Sequence, residues 1–160
     1  MSSDDETFQT GDSGASLTIP VTAGSLKKGH HVNINGFPCK IIEITTSKTG
    51  KHGHAKANIT ALDIFTNKKY EEVAPTSHNL EQPLVKREEL QLIDIAQDGT
   101  LSLMDDAMET REDLNLPDDQ EAAKAMQAAY DAGEELLVVV LSAMGKTQVM
   151  GHKKAGSGDN

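Results

Sequence analysis

Between residues 17 and 153 the apolar residues come in short runs that turn residues keep interrupting, and only one stretch has helical spacing. That pattern restricts the chain to small, mainly β architectures. His31-Val32-Asn33-Ile34 reads as a strand, and Asn35-Gly36 follows at once, a dipeptide suited to the positive φ angles of a type I′ hairpin turn. Pro38 to Ile44 reads as a second strand rich in β-branched residues, Lys56 to Phe65 as a third and Tyr70 to Ala74 as a fourth. Such closely spaced strands, with no helix between them, predict a small barrel.

Around Pro83 to Arg87 the pattern restarts. Glu89 to Ala96 alternates, Asp98-Gly99 turns the chain, Leu101 to Met104 returns, and Met108 to Leu114 reads as a third strand. Pro117 and Asp118 open a helix in which Ala122, Ala125, Met126, Ala129 and Tyr130 recur at helical spacing before Gly133 ends it. Leu136 to Leu141 is wholly apolar, and Thr147 to Met150 closes the set. Three strands, a helix and two strands is the order of an OB-fold barrel. The expected organisation is a disordered acidic tail at 1–16, one β domain at 17–84, an OB-fold domain at 85–153 and a loose tail at 154–160.

Charge divides along the same lines. Residues 1–16 hold four acids and no base; residues 17–84 hold eight lysines against five acids; residues 85–160 hold seven Lys or Arg against sixteen acids. The formal net charge of −10 therefore hides a basic middle block that also contains five of the six histidines. Cys39 is the one cysteine, which excludes an internal disulfide and a CxxC metal site. No apolar run is long enough to span a bilayer and the acidic start lacks a signal-peptide pattern, so the expectation is a cytoplasmic protein without membrane contact.

The most informative stretch is Thr45 to Lys56, which contains Lys48, Lys51, Lys56, His52 and His54 but no acid and no large apolar residue. None of it suits a core. Gly50 and Gly53 bracket Lys51 and His52, as a sharp reversal of the chain requires. Between two strands this makes a hairpin tip that presents a cationic Lys51. A phosphate-binding P-loop fails, because Thr45 stands where its first glycine should be and His52 where Ser or Thr should follow the lysine. A metal site from His52 and His54, with His30 or His31, lacks an evident third ligand and sits among lysines that repel a cation. A Schiff-base lysine needs a desolvated pocket rather than a polar tip. Contact with a nucleic-acid backbone fits the composition best, and a solvated loop without a role stays open beside it.

The string TSKTGKHGHAK at 46–56 resembles the hypusination loop of the eukaryotic translation initiation factor 5A family, also counted as an elongation factor. The resemblance extends through TGD-GAS at 10–16, PCKIIE at 38–43, DIFT-KKYE at 63–71, TSHN at 76–79, REDL-LP at 111–117 and GEELLVVVLSAM at 133–144. It implies an SH3-like β-barrel followed by an OB-fold barrel. It also implies that Lys51 receives an aminobutyl group from spermidine through deoxyhypusine synthase, and that deoxyhypusine hydroxylase completes hypusine. Ser47, Lys48, Thr49, Gly50, His52, Gly53, His54 and Lys56 would form the loop facing ribosome and tRNA. The implied protein is not an enzyme and binds neither metal nor cofactor. It would occupy the ribosomal E site beside the P-site tRNA, promoting peptide-bond formation at proline runs and other stalling sequences and assisting termination. The alternative is a general RNA-binding OB-fold module. Residues 85–160, however, offer only Tyr130 as an aromatic and an excess of acids, a poor platform for single strands. The chain departs from the family's usual Ser-Thr-Ser with Thr45-Thr46-Ser47, and most relatives carry several cysteines where this chain has one.

Overall fold

The computed structural model describes residues 17–48 and 55–156; the tail 1–16 and the final residues 157–160, like residues 49–54, lie outside the described residues. The chain divides into two compact units, one running up to Val85 and including Ala143–Gly145, the other comprising Lys86–Ser142 and the residues from Lys146 onward. The fold is mainly β with one α-helix among the described residues, as the sequence pattern leads one to expect. No helix among them is long and apolar enough to cross a membrane.

In the first unit, β1 (Thr18–Thr22) pairs antiparallel with β6 (Asn79–Pro83). A four-stranded antiparallel sheet runs in the order β2 (His31–Ile34), β3 (Phe37–Lys48), β4 (Ala55–Asp63), β5 (Lys69–Pro75). Because β2 meets both β5 and β6, the sheet curls on itself. Alternation along β4 buries Ala57, Ile59 and Ala61, which join Val32, Ile34, Cys39, Ile41 and Ala74 in one core. The small side chains of Ala57, Ala61 and Ala74 leave room for so tight a curl. Asn35 and Gly36 have φ of 56° and 87°, the two positive values of a type I′ turn, and they set Ile34 opposite Phe37. Farther along β3 the register shifts between Ile41 and Glu43, a bulge that leaves Ile42 41% exposed.

Two boundaries differ from the sequence reading for local reasons. The third strand stops at Asp63 rather than Phe65, because the buried Asp63 carboxylate accepts the amides of Phe65 (2.8 Å) and Thr66 (3.4 Å) and turns the chain. β1 and β6 have no counterpart in that reading: each carries a proline and little alternation, and their pairing joins segments some sixty positions apart.

The second unit is a five-stranded antiparallel sheet in the order β11 (Lys146–Lys154), β10 (Leu136–Ala143), β7 (Lys86–Ile95), β8 (Thr100–Met104), β9 (Thr110–Asn115). The helix α1 (Gln120–Asp131) lies between β9 and β10 in the chain and packs on β11. The two sheet edges, β9 and β11, approach each other and nearly close the OB-fold barrel. Its core contains Leu90, Leu92, Leu101, Leu103, Leu114, Leu136, Val138, Val140 and Val149, with Met126 of α1 fully buried among them. The helix starts after Pro117–Asp118 because Asp119 caps it, accepting the Ala122 amide at 3.1 Å. Tyr130, on the last turn, donates its hydroxyl to Asp94 of β7 at 2.6 Å, which raises the phenol's pKa. β9 begins at Thr110 rather than Met108, whose φ of 66° belongs to a turn built on the Asp105 carboxylate. Leu103→Ala should destabilise this unit by about 2–5 kcal/mol, since the cavity has rigid walls on every side. A urea unfolding curve with an unchanged midpoint would contradict that packing.

Candidate functional site

The β3–β4 hairpin carries the lysine-rich stretch. Its stem pairs Thr45 with Asn58, Thr46 with Ala57, Ser47 with Lys56 and Lys48 with Ala55. β2 covers β3 only from Phe37 to Lys40, so from Glu43 onward the outer side of β3 has no strand partner among the described residues. Exposed hydroxyl and charged side chains, Thr45, Thr46, Ser47 and Lys48, occupy that edge and discourage further strand pairing. β4 is supported on both sides, since β5 pairs with it from Leu62–Lys69 to Lys56–Pro75. The Thr76 amide also donates to the Ala55 carbonyl at 2.9 Å, fixing the residue at which the described chain re-enters β4.

One side chain ties the stem across its outer face. Asn58 Nδ2 lies 3.3 Å from Ser47 Oγ and 3.5 Å from both Thr45 O and Thr45 Oγ1. The sequence reading passed over Asn58, yet it was within reach: it sits at an outward position between the buried Ala57 and Ile59. Of the residues expected to face ribosome and tRNA, Ser47, Lys48 and Lys56 are exposed on this stem. Thr49, Gly50, Lys51, His52, Gly53 and His54 lie outside the described residues.

The other reactive groups of this unit are otherwise engaged. Cys39 is buried and its thiol is pushed up to about 11, mainly by burial and further by the Asp63 charge, so it is a packing residue rather than a nucleophile. His30 Nδ1 accepts the Lys27 amide at 3.1 Å. His31 has its pKa lowered by burial and by the neighbouring Lys40 and His30. Among the described residues no three His, Cys, Asp or Glu side chains are placed to hold a metal ion.

Electrostatically the two units differ. In the second, Lys86 pairs with Glu88, Arg87 and Lys153 converge on Glu89, and Arg111 bridges Glu88 and Asp113. Most of that unit's cations are thus committed to its own acids. On the hairpin stem, Lys48 and Lys56 have no such acid within ion-pair distance among the described residues.

Known proteins share this arrangement. Residues 16–78 match the family described as translation initiation factor 5A-like, N-terminal, and residues 84–153 match the one described as eukaryotic elongation factor 5A hypusine, DNA-binding OB fold. The chain belongs to the translation initiation factor 5A family. It is 47% identical over 158 residues to eukaryotic translation initiation factor 5A-2 of Arabidopsis thaliana, covering 99% of both chains. It is 49% identical over 159 residues to the protein of the same name from Saccharomyces cerevisiae, covering 99% of this chain and 100% of the other. A solved structure of a family protein from Naegleria fowleri superposes with a TM-score of 0.81 at 53% identity, over 86% of this chain and 99% of that one. Eukaryotic translation initiation factor 5A from Methanococcus jannaschii superposes with a TM-score of 0.64 at 36% identity, over 86% and 96% of the two chains. This is a family of translation factors that carry hypusine on a lysine.

Asn58→Ala should cost about 0.5–1.5 kcal/mol and loosen the stem without unfolding the unit. Amide exchange at Thr46 and Lys56 should quicken while that of Ile41 stays slow; equal exchange in variant and wild type would show that Asn58 holds nothing.

Proposed function

We propose that Lys51 is the hypusine-bearing residue and that the chain works on the ribosome, in the E site, with this side chain directed at the acceptor end of the P-site tRNA. The observation that carries this reading is the string TSKTGKHGHAK set on a long β3–β4 stem, in a chain of this family. The neutral ε-amine of Lys51, held by deoxyhypusine synthase, is the nucleophile that takes the aminobutyl arm of spermidine. A new N–C bond forms at Lys51, the C–N bond to the secondary amine of spermidine breaks, and propane-1,3-diamine leaves with the proton. Deoxyhypusine hydroxylase then completes the side chain. The product is nearly twice as long and carries a second amine, suited to a cavity walled by phosphate. The stem supplies position: Asn58 and the two-sided pairing of β4 hold Ser47, Lys48 and Lys56 where their hydroxyl and cationic groups meet the nucleic-acid backbone.

In this reading the protein is no enzyme. It orders the tRNA end so that the ribosome's own chemistry proceeds at proline runs and other stalling sequences, and it assists termination in the same way. Residues 17–84 present the loop, and 85–153 supply a second, acidic body. The place of work is the cytoplasm.

Lys51→Arg separates this reading from simple charge attraction. Arginine keeps the charge and the long stem, but its guanidinium stays protonated and cannot accept the aminobutyl group. In a reconstituted translation reaction with factor treated by both modifying enzymes, Lys51→Arg should largely abolish rescue at proline runs, while Lys48→Arg and Lys56→Arg keep substantial activity. Rescue by the Lys51→Arg protein at the wild-type level would refute the proposal. Ribosome affinity should also fall as salt rises through the physiological range, because lysines are meeting phosphate; salt-independent affinity would favour a partner made of protein alone.

A further inference from the structure

The two roots of the lysine-rich loop are held differently. β3 reaches Lys48 with a strand on one side only, whereas β4 begins at Ala55 between β3 and the end of β5. The β4–β5 ladder stops where Lys56 faces Pro75. One step further, Thr76 has already left the strand, yet its amide still reaches the Ala55 carbonyl at 2.9 Å. Ala55 stands four positions after Lys51 in the sequence. The last bond before the loop therefore comes from a corner rather than from a strand.

A third segment braces that corner. The 3₁₀ turn Ala23–Ser25 donates two amides to it: Gly24 to the Thr76 carbonyl at 2.9 Å, and Ala23 to the His78 carbonyl at 2.8 Å. The His78 amide closes the corner on the Pro75 carbonyl, also at 2.9 Å. The brace has firm footing, because Ala23 and Leu26 are buried in the barrel core and Ser25 Oγ donates to the Thr22 carbonyl at 2.8 Å. Gly24 stands there for closeness and not for backbone conformation. Its φ lies outside the left-handed region, and a Cβ added to it would sit 3.0 Å from Thr76 Cβ and 3.1 Å from Thr76 O. Ending β5 needs only the bond between His78 and Pro75. The two further amides make a main-chain line that runs from the core through Gly24 and Thr76 to Ala55.

We infer that Thr76 is a positioning residue for the Lys51 loop. Its amide fixes the point at which the described chain enters β4, and the 3₁₀ turn keeps that amide in place. Deoxyhypusine synthase then meets a substrate with one root of the loop already ordered, so less conformational freedom is lost on binding. The inference rests on the reading of Lys51 as the hypusine-bearing residue. It gives the Thr76 hydroxyl no part, since each contact in the line is main-chain.

The test measures kcat and KM of deoxyhypusine synthase for the full-length, unmodified protein, with labelled spermidine as donor. Thr76→Ala keeps the amide and should match the wild type. Thr76→Pro deletes the amide but leaves the carbonyl for Gly24. It should raise KM about 2- to 12-fold, the span that one lost hydrogen bond covers, with kcat unchanged. Gly24→Val presses on Thr76 from behind and carries the same test without altering Thr76; KM should rise there too. Ile34→Val trims the same core at a site outside this line and should leave KM where it was. Amide exchange at Lys56 should quicken in Thr76→Pro while exchange at Val32 stays slow. Wild-type KM in both Thr76→Pro and Gly24→Val would overturn the proposal. An equal rise in Ile34→Val would also overturn it, by reducing the effect to general stability. Label on the wild type at a lysine other than Lys51 would refute the underlying reading, and this inference with it.

Discussion

The first unit depends on the pairing of β3 with β4. These two strands share a ladder from Cys39–Asp63 to Lys48–Ala55, and each end of it does different work. The inner rows supply the core, with Ile41 facing Ala61 and Ile44 near Ile59, while the outer rows continue past the point where β2 stops. Backbone hydrogen bonding thus carries a polar stem well beyond the apolar contacts that stabilise the barrel. No side chain from Thr45 to Lys48 contributes to the core; the sheet alone sets their spacing and direction. A lysine-rich segment that cannot be packed is instead held by main-chain geometry.

How much of this was legible in the sequence follows from the range of each interaction. Strands with local signals were visible: Asn35-Gly36 fixed a hairpin, ELQLIDIA alternated, and the helix showed its apolar stripe. The order of three strands, helix and two strands then sufficed for the OB fold. Boundaries went astray where one carboxylate decided them, at Asp63, Asp105 and Asp119, because an aspartate that turns the chain looks the same in sequence as one that is merely solvated. β1 and β6 were invisible for a deeper reason: each exists only because of the other, and nothing local in TIPVT or NLEQP announces a partner so far away.

For the site, composition marked the stretch and the family string singled out Lys51, but neither revealed the tie made by Asn58. That tie joins residues from different strands and follows from register, which a sequence specifies only once the bulges are placed. The two barrels share that complication. Ile42 in β3 and Ile93 in β7 each sit at a register shift, and each is a large β-branched residue turned outward, at 41% and 44% exposure. Taken as simple alternation, either would be misassigned to a face.

The bulge at Ile42 has a consequence for how the hairpin tolerates change. A strand has only two faces, so parity is conserved from the bulge to Lys48. Ile42 is the extra residue of the bulge, so deleting it would leave Glu43 opposite Thr60 and Ile44 opposite Ile59, whereas inserting one residue between Glu43 and Ile44 would exchange inside for outside along the stem, turning Ile44 to solvent and Thr45 toward the barrel. Past the bulge the stem therefore accepts insertions only in steps of two, whereas the outward-facing identities of Thr45 and Ser47 are free to vary among small hydroxyl residues that Asn58 can still reach.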